Sequence, residues 1–417
     1  MARAGTNQRS AVPSLLKEIN RALILNALRQ RQQASRAELA KDLRISKPTV
    51  SAIVNELLER GFVIESQQEE LTGALGRRPL MLSINRDVGG IIAVKLGVTF
   101  VKAAVFDLNQ TMLSRSMKLI GPPNPDEKPA AFFVRVVRSV VDDVVNAAGF
   151  SRFPGLGIGI EGVVDTATGV LTSSPYHPYW NGIDVRRLLE EEFHVPVFVD
   201  NGVNVAAIGE GYAVRGESRN LVTLNITDTV TAGLLIKGEP YRGRANNVGD
   251  IGHVMVTEKP IPCICGRTGC FAAMASEQAV RRLAREALER GESLLGSEAT
   301  VPAVLAASAQ GCGAAQAILR EVGQYLGYGI AAVASLLNPD VIVLDGRIVR
   351  ESRLVYDSAM ESYRGRISPG FADGTSVVLS SLKGDASLVG ACILVLEHIF
   401  APPVLKPSES EAVDMLG

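Results

Sequence analysis

No stretch of this chain is apolar for long enough to cross a bilayer as a helix, which takes about 20 residues. No apolar run at its N-terminus looks like a signal peptide. Cysteine is scarce, five in 417 residues, and three of the five fall within eight positions. Cys312 and Cys392 stand apart in helical and apolar contexts, where reduced core thiols are expected. A cytoplasmic protein with no membrane partner is therefore expected. Net charge is also nearly absent, at −1, but it is unevenly spread. Residues 1–90 carry 14 Lys and Arg against 9 Asp and Glu, a net of +5, which leaves the remainder at −6. A basic end on an acidic body fits contact with nucleic acid through that end only. With 47% hydrophobic and 21% charged residues the chain has the balance of a soluble globular protein, and its length suffices for two or three domains.

The densest chemistry lies between Gly249 and Ser276. His253 is followed after nine residues by Cys263, Cys265 and Cys270, and Gly266 and Gly269 let the loop fold tightly enough to return the third sulfur. One imidazole and three thiolates are the ligands that tetrahedral zinc prefers. The alternative, three unrelated buried thiols, leaves the histidine and the loop glycines without a role. Four protein ligands leave no open position for water, which excludes a zinc hydrolase. The run Gly249-Asp250-Ile251-Gly252-His253, with Cys263-Ile264-Cys265-Gly266-Arg267-Thr268-Gly269-Cys270 after it, resembles the signature of the ROK family of sugar kinases and repressors. The resemblance extends over most of the chain. It implies a structural zinc, a two-lobed actin-like sugar-kinase fold and, in some members, an added DNA-binding domain.

The N-terminal pattern has the order of such a domain. Residues 1–12 are polar and aperiodic, and a helix is expected over 14–31, with Leu15, Ile19, Leu23 and Leu28 among its apolar positions. Ser35-Arg36-Ala37-Glu38 is a capping box that starts a second, short helix. Ser46 caps a third, with Pro48 in its first turn, where a missing N–H costs little. Val50, Ile53, Val54, Leu57 and Leu58 form its apolar stripe, and Gly61 ends it. Three helices in this order make a helix-turn-helix. Strands at 62–65 and 80–84 flank Gly76-Arg77-Arg78-Pro79, a wing. The helix start at Ser46 and Pro48, and the face bearing Lys47, Thr49, Ser51 and Asn55, can reach base edges or phosphates. Arg77 and Arg78 would follow a backbone or enter a minor groove. A protein-binding module of three helices is the alternative, and the basic wing favours DNA. The segment from Asn20 to Asn85 is similar to the winged helix of ROK repressors, including Ser46-Lys47-Pro48-Thr49-Val50 and the wing.

In the body the pattern predicts strands at 91–98 and 101–107, a helix ending at Ala148, and a buried strand over 155–164 with alternate glycines. A helix at 183–193, a hairpin at 221–237, helices at 279–290 and 314–337 and a closing helix at 387–400 follow. The resemblance assigns roles to its turns, and the chain departs from several. Lys95-Leu96-Gly97-Val98-Thr99 stands where the family has Asp-x-Gly-Gly-Thr around ATP phosphates; a lysine replaces the magnesium-facing acid and Val98 the second glycine. Gly202 stands where the family has the aspartate that deprotonates the sugar, with Asp200 a conceivable substitute. The second phosphate turn, 227–231, has no glycine, and the adenosine-side turn keeps only Gly346. These changes argue against ATP use, so no catalytic residue is assigned. Family sugar contacts map to Asn201, Asp250 and His253, whereas a further family glutamate is Ala272 here and the sugar loop has Tyr176 after Pro175. Lys95 and Arg347 add positive charge, which favours an anion such as a sugar phosphate unless Lys95 pairs internally with a carboxylate such as Asp345.

The expected fold is an N-terminal winged helix-turn-helix, mainly α, followed by an α/β two-lobed, actin-like sugar-kinase (ribonuclease H-like) body. The expected domains are a mobile tail at 1–13, the winged helix at 14–86, an effector and oligomerisation domain at 87–400 and a disordered tail at 401–417. The body divides into lobes at 87–200 plus 388–400 and at 201–387. The expected function is a DNA-binding regulator, a repressor of carbohydrate-related genes with an inactive kinase-like domain sensing a sugar or sugar-derived effector. It would bind a two-fold-related double-stranded operator as a homodimer or dimer of dimers. The alternative is an ATP-dependent sugar kinase with an added DNA-binding domain.

Overall fold

The computed structural model describes residues 8–67, 80–214, 219–292, 298–368 and 374–400. The wing residues Arg77 and Arg78 and the expected tail at 401–417 lie outside the described residues.

The first helix runs Gln8–Arg31, so it begins within the expected tail of 1–13. Apolar periodicity locates only the part of a helix that meets a core, and a polar leading turn gives no such signal. The helix Arg36–Asp42 starts at a complete capping box: Ser35 accepts from Glu38 N, and Glu38 Oε2 accepts from Ser35 N at 2.7 Å. That backbone bond holds the Glu38 carboxyl below its usual range. The helix Lys47–Glu59 is capped by Ser46, whose Oγ accepts from Thr49 N at 3.3 Å. Val50, Ile53, Val54 and Leu57 are buried, while Leu58 is half-buried. Strands Val63–Gln67 and Leu80–Ile84 pair antiparallel, and Ala34–Ser35 adds a third strand that is too short to show any alternation.

The body contains two five-stranded sheets with one topology. The first is ordered Val197–Asn201, Leu156–Ile160, Ile91–Leu96, Phe100–Phe106, Met112–Leu119. The second is ordered Ser376–Leu379, Val341–Asp345, Leu221–Ile226, Val230–Ile236, Glu239–Pro240. In each, three strands run parallel and two return as antiparallel hairpin partners. Parallel neighbours need crossover helices, and Pro129–Ala148 and Val185–Phe193 supply them in the first lobe. The central strands Leu156–Ile160 and Val341–Asp345 are buried throughout, as strands covered on both faces must be. The edge strand Met112–Leu119 has no buried residue, which is why its sequence gives no core signal.

The closing helix, Ala386–Ile399, joins the parts. It crosses the helix Gly202–Val214 and lies against the first sheet at backbone contact distance. A Cβ on Gly390 would stand 1.7 Å from Val205 O, and one on Gly157 would stand 2.0 Å from Ala391 O. Only glycine fits either position, which accounts for the strand's alternate glycines better than any turn would. At its far end the Phe400 carbonyl accepts from Asn26 Nδ2 at 3.0 Å, and the Arg29 guanidinium carbon lies 6.0 Å from the Phe400 ring centre. Ile24, Leu28, Leu82 and Ile84 of the winged helix share one core with Phe106, Leu396 and Phe400 of the body. Among the described residues no single helix is long and apolar enough to cross a membrane.

Candidate nucleic-acid interface, metal centre and cleft

On the third helix Ser46, Lys47, Pro48 and Asn55 are exposed, and Thr49 and Ser51 are half-buried. Thr49 is partly committed, its Oγ1 lying 2.7 Å from Ser46 Oγ. Asn55 Oδ1 accepts from Arg36 Nη1 at 2.9 Å, and the same guanidinium reaches Glu65 at 2.8 Å. Arg36 therefore braces the recognition face from the neighbouring helix. Sequence reasoning read it only as part of the capping box, because its pairing with Asn55 spans 19 residues. A planar fork that bridges an amide and a carboxylate fixes the Asn55 rotamer.

The loop from Gly249 to Cys270 brings His253, Cys263, Cys265 and Cys270 together, with one donor atom of each inside 4.8 Å of all the others. Cys265 and Cys270 sulfurs are 3.7 Å apart, and Cys263 Sγ is 3.4 Å from His253 Nδ1. Zinc–sulfur bonds of about 2.3 Å at tetrahedral angles place two sulfurs roughly 3.8 Å apart, so the donor set and its spacing fit a metal. Gly269 adopts φ +69° where a Cβ would stand 2.0 Å from Thr257 O, so the close return of the loop depends on it. The Arg267 backbone N–H draws the Cys265 thiol down to about 6, whereas burial pushes Cys270 up to about 12. His253 Nε2 faces the other way, 3.9 Å from Asp250 Oδ1.

A cavity of about 440 Å³ opens between the lobes beside this cluster, within the size range of small-molecule sites. Asn201, Asp250 and His253 all line it, together with Glu161, Tyr176 and Arg267. Asn201 Nδ2 donates to Gly162 O at 2.5 Å and Oδ1 accepts from Val203 N at 2.8 Å, so only one of its N–H groups remains for a ligand. Asp250 sits at the rim with 65% of its side chain exposed. Asp200 is no spare base: it is 1% exposed and accepts from Arg242 Nε and Nη2 at 2.9 and 2.7 Å. Ala272 is buried and lies outside the cavity lining.

The two turns that the resemblance assigns to phosphate make contacts within the protein. Gly97 O accepts from His177 Nε2 at 3.2 Å, which makes Nε2 the protonated nitrogen, and burial lowers that imidazole's pKa. The Phe100 ring seats against Gly97, with Lys95 and Lys102 ammonium groups 5.9 and 5.6 Å from its centre. Lys95 pairs with Glu161 at 3.6 Å and not with Asp345, which Arg350 holds instead. Arg347 is exposed and reaches Glu351 at 3.8 Å. In the second turn Thr227 N–H donates to Thr229 O at 2.9 Å, and Asp228 is paired with Arg281.

A duplicated two-lobed body with a histidine–cysteine cluster at its cleft, fused to a helix-turn-helix with antiparallel strands, defines the class: a sugar-kinase-like body carrying a DNA-binding domain. The chain belongs to the ROK family. The ROK family model matches residues 91–398, and a MarR family model matches residues 18–70. The xylose repressor of Caldicellulosiruptor bescii is 25% identical over 403 residues, covering 94% of this chain and 98% of that protein. The glucokinase of Halalkalibacterium halodurans is 30% identical over 256 residues, 58% of this chain and 76% of that enzyme. The crystal structure of a ROK family transcriptional regulator, a homologue of the Escherichia coli MLC protein, has the same fold, with a TM-score of 0.78 at 24% identity over 93% of this chain and 98% of that one.

Proposed function

We propose that this protein is a DNA-binding repressor of carbohydrate-related genes whose kinase-like body senses a sugar or sugar-derived effector without phosphorylating it. The observation that carries this reading is a kinase-like body that shares one core with a winged helix and whose first phosphate turn bears Lys95, paired with Glu161, in place of the magnesium-facing acid. Full-length relatives named as repressors support it, and those named for xylose make a pentose the first effector to try. Residues 14–86 form the DNA-binding unit, with Ser46, Lys47, Pro48, Thr49, Ser51, Asn55, Arg77 and Arg78 as contacts. Residues 87–400 sense the effector through Asn201, Asp250 and His253 and carry the dimer contacts. The metal is a structural zinc on His253, Cys263, Cys265 and Cys270, supported by the fit of the donor spacing. It fixes the loop that holds Asp250 and His253 at the cleft.

A dimer matches a two-fold operator, one recognition helix per half-site. An exposed apolar groove of about 410 Å³, with Tyr241, Val254, Tyr328 and Leu336 on its lip, supports a second copy as its occupant. The protein works in the cytoplasm, where its DNA target lies. The glucokinase relative favours the second reading, an active kinase with a DNA-binding domain. Selection of bound fragments from genomic DNA, followed by titration with sugars, tests the first reading; binding no tighter than to random DNA would sink it. A coupled assay with ATP and a sugar panel tests the second, and turnover by the zinc-loaded protein would establish it.

A further inference from the structure

We propose that Glu161 is the hydroxyl-binding carboxylate at the floor of the cleft and that it selects an uncharged monosaccharide over a phosphorylated one. This rests on reading the cleft as an effector site.

Glu161 follows directly on the strand Leu156–Ile160, and its backbone is fixed from two sides. Its N–H donates to Leu96 O at 3.2 Å, and its carbonyl accepts from Ser174 Oγ at 2.9 Å. The side chain lines the cavity and is 21% exposed. Lys95 Nζ, 3.6 Å from Oε1, offsets its charge from behind without hydrogen-bonding to it. Among the described residues no donor hydrogen-bonds to either carboxylate oxygen, so a carboxylate on a fixed backbone lines the cavity with open acceptor sites. Gly202, at the start of the opposing helix, faces this carboxylate: a Cβ there would stand 3.4 Å from Glu161 Oε1, an ordinary contact distance.

The chemistry around Glu161 favours neutral hydroxyls. Two carboxylates, Glu161 and Asp250, line the cavity against one guanidinium, Arg267. Beside His253 and Cys265 of the metal cluster, the remaining polar groups on the walls, Tyr176, Asn201, Thr229, Thr231 and Asn247, are neutral hydrogen-bonding side chains. Carboxylates accept from sugar hydroxyls in short charge-assisted bonds, whereas a phosphate dianion meets like charge. The lysines that would favour an anion are committed, Lys95 to Glu161 and Lys102 to Asp385 at 3.6 Å.

Isothermal titration of the full-length zinc-loaded protein with D-xylose, D-glucose, xylose 5-phosphate and glucose 6-phosphate tests the idea. One of the free sugars should bind wild type at least about tenfold more tightly than its phosphate ester, since a charged hydrogen bond contributes about a factor of ten or more. Glu161→Gln should weaken the free sugar about ten- to a hundredfold and narrow the gap to the ester, a change in ratio that mere loosening of the fold does not produce. Tighter binding of an ester by wild type overturns the proposal with no variant needed. So does unchanged sugar affinity in Glu161→Gln at an unaltered melting temperature. If sugar binding falls in Asn201→Ala and Asp250→Asn but not in Glu161→Gln, the effector reading stands and the role of Glu161 falls. If no sugar or ester binds wild type, the effector reading itself falls and takes this proposal with it.

Discussion

At the residue scale, the positions legible in the sequence were those whose partners lie close by along the chain. The four candidate metal ligands span 18 residues and converge in space. Cys265→Ser should remove one of four donors, lower the zinc content by atomic absorption from one equivalent per chain toward zero, and lower the melting temperature. Full zinc occupancy in that variant would contradict the assignment. The partners that escaped notice are distant. The sequence leaves Lys95 either free for an anion or paired with a carboxylate such as Asp345; the sheet brings Glu161 to it, because Lys95 and Gly159 are neighbours on adjacent parallel strands. Arg242 likewise comes 42 residues to claim Asp200. On the DNA face, Asn55→Ala should relax base choice at one position, whereas Arg78→Ala should weaken binding to every sequence and reduce the salt slope by about one. Identical salt slopes for wild type and Arg78→Ala would remove the wing from the phosphate contacts.

At the scale of elements, periodicity found the amphipathic helices and missed those without a polar face. The helix Gly202–Val214 is buried on most sides by small residues, so its sequence carries no stripe and reads as a turn with an apolar continuation. It nevertheless carries a titratable group into the core. Glu210 is 1% exposed, donated to by Ser380 Oγ at 2.5 Å, and burial, with Asp345 adding to it, pushes its pKa up to about 7. A carboxyl raised in the folded state favours folding fully below its unfolded value of 4.5, and that contribution is lost as pH rises through about 7. At roughly 1.4 kcal/mol per pKa unit, the loss is at most about 3 kcal/mol. Glu210→Gln should keep the Ser380 contact and flatten the stability profile between pH 4.5 and 7, measured by chemical denaturation against wild type. Parallel slopes for the two proteins across that window would show that Glu210 does not titrate there.

At the scale of the whole molecule, the duplicated sheets and the winged helix were each legible, but their junction was not. The expected boundary after residue 86 treats the winged helix as a separate unit, yet its core runs into that of the body through Ile84, Phe106, Leu396 and Phe400. Hydrophobic patterning shows that a face is buried without showing what covers it. The closing helix touches both the helix beside the cleft and the winged helix. At its start Ser387 Oγ donates to Gly202 O at 3.4 Å, beside the cleft, and at its end Phe400 O accepts from Asn26 of the first helix. A helix held beside the cleft at one end and to the winged helix at the other would couple the two if effector binding changes the lobe angle, and the Asn26–Phe400 contact is the link to test. Coupling of this kind is a free energy shared by the two ligands, so it can be lost while each still binds. Asn26→Ala should leave sugar affinity and ligand-free operator affinity within about twofold of wild type, while the shift in operator affinity caused by saturating sugar shrinks several-fold. Measuring operator binding by fluorescence anisotropy with and without sugar separates these quantities. An unchanged sugar-induced shift in Asn26→Ala would mean that the signal reaches the DNA-binding unit by another route.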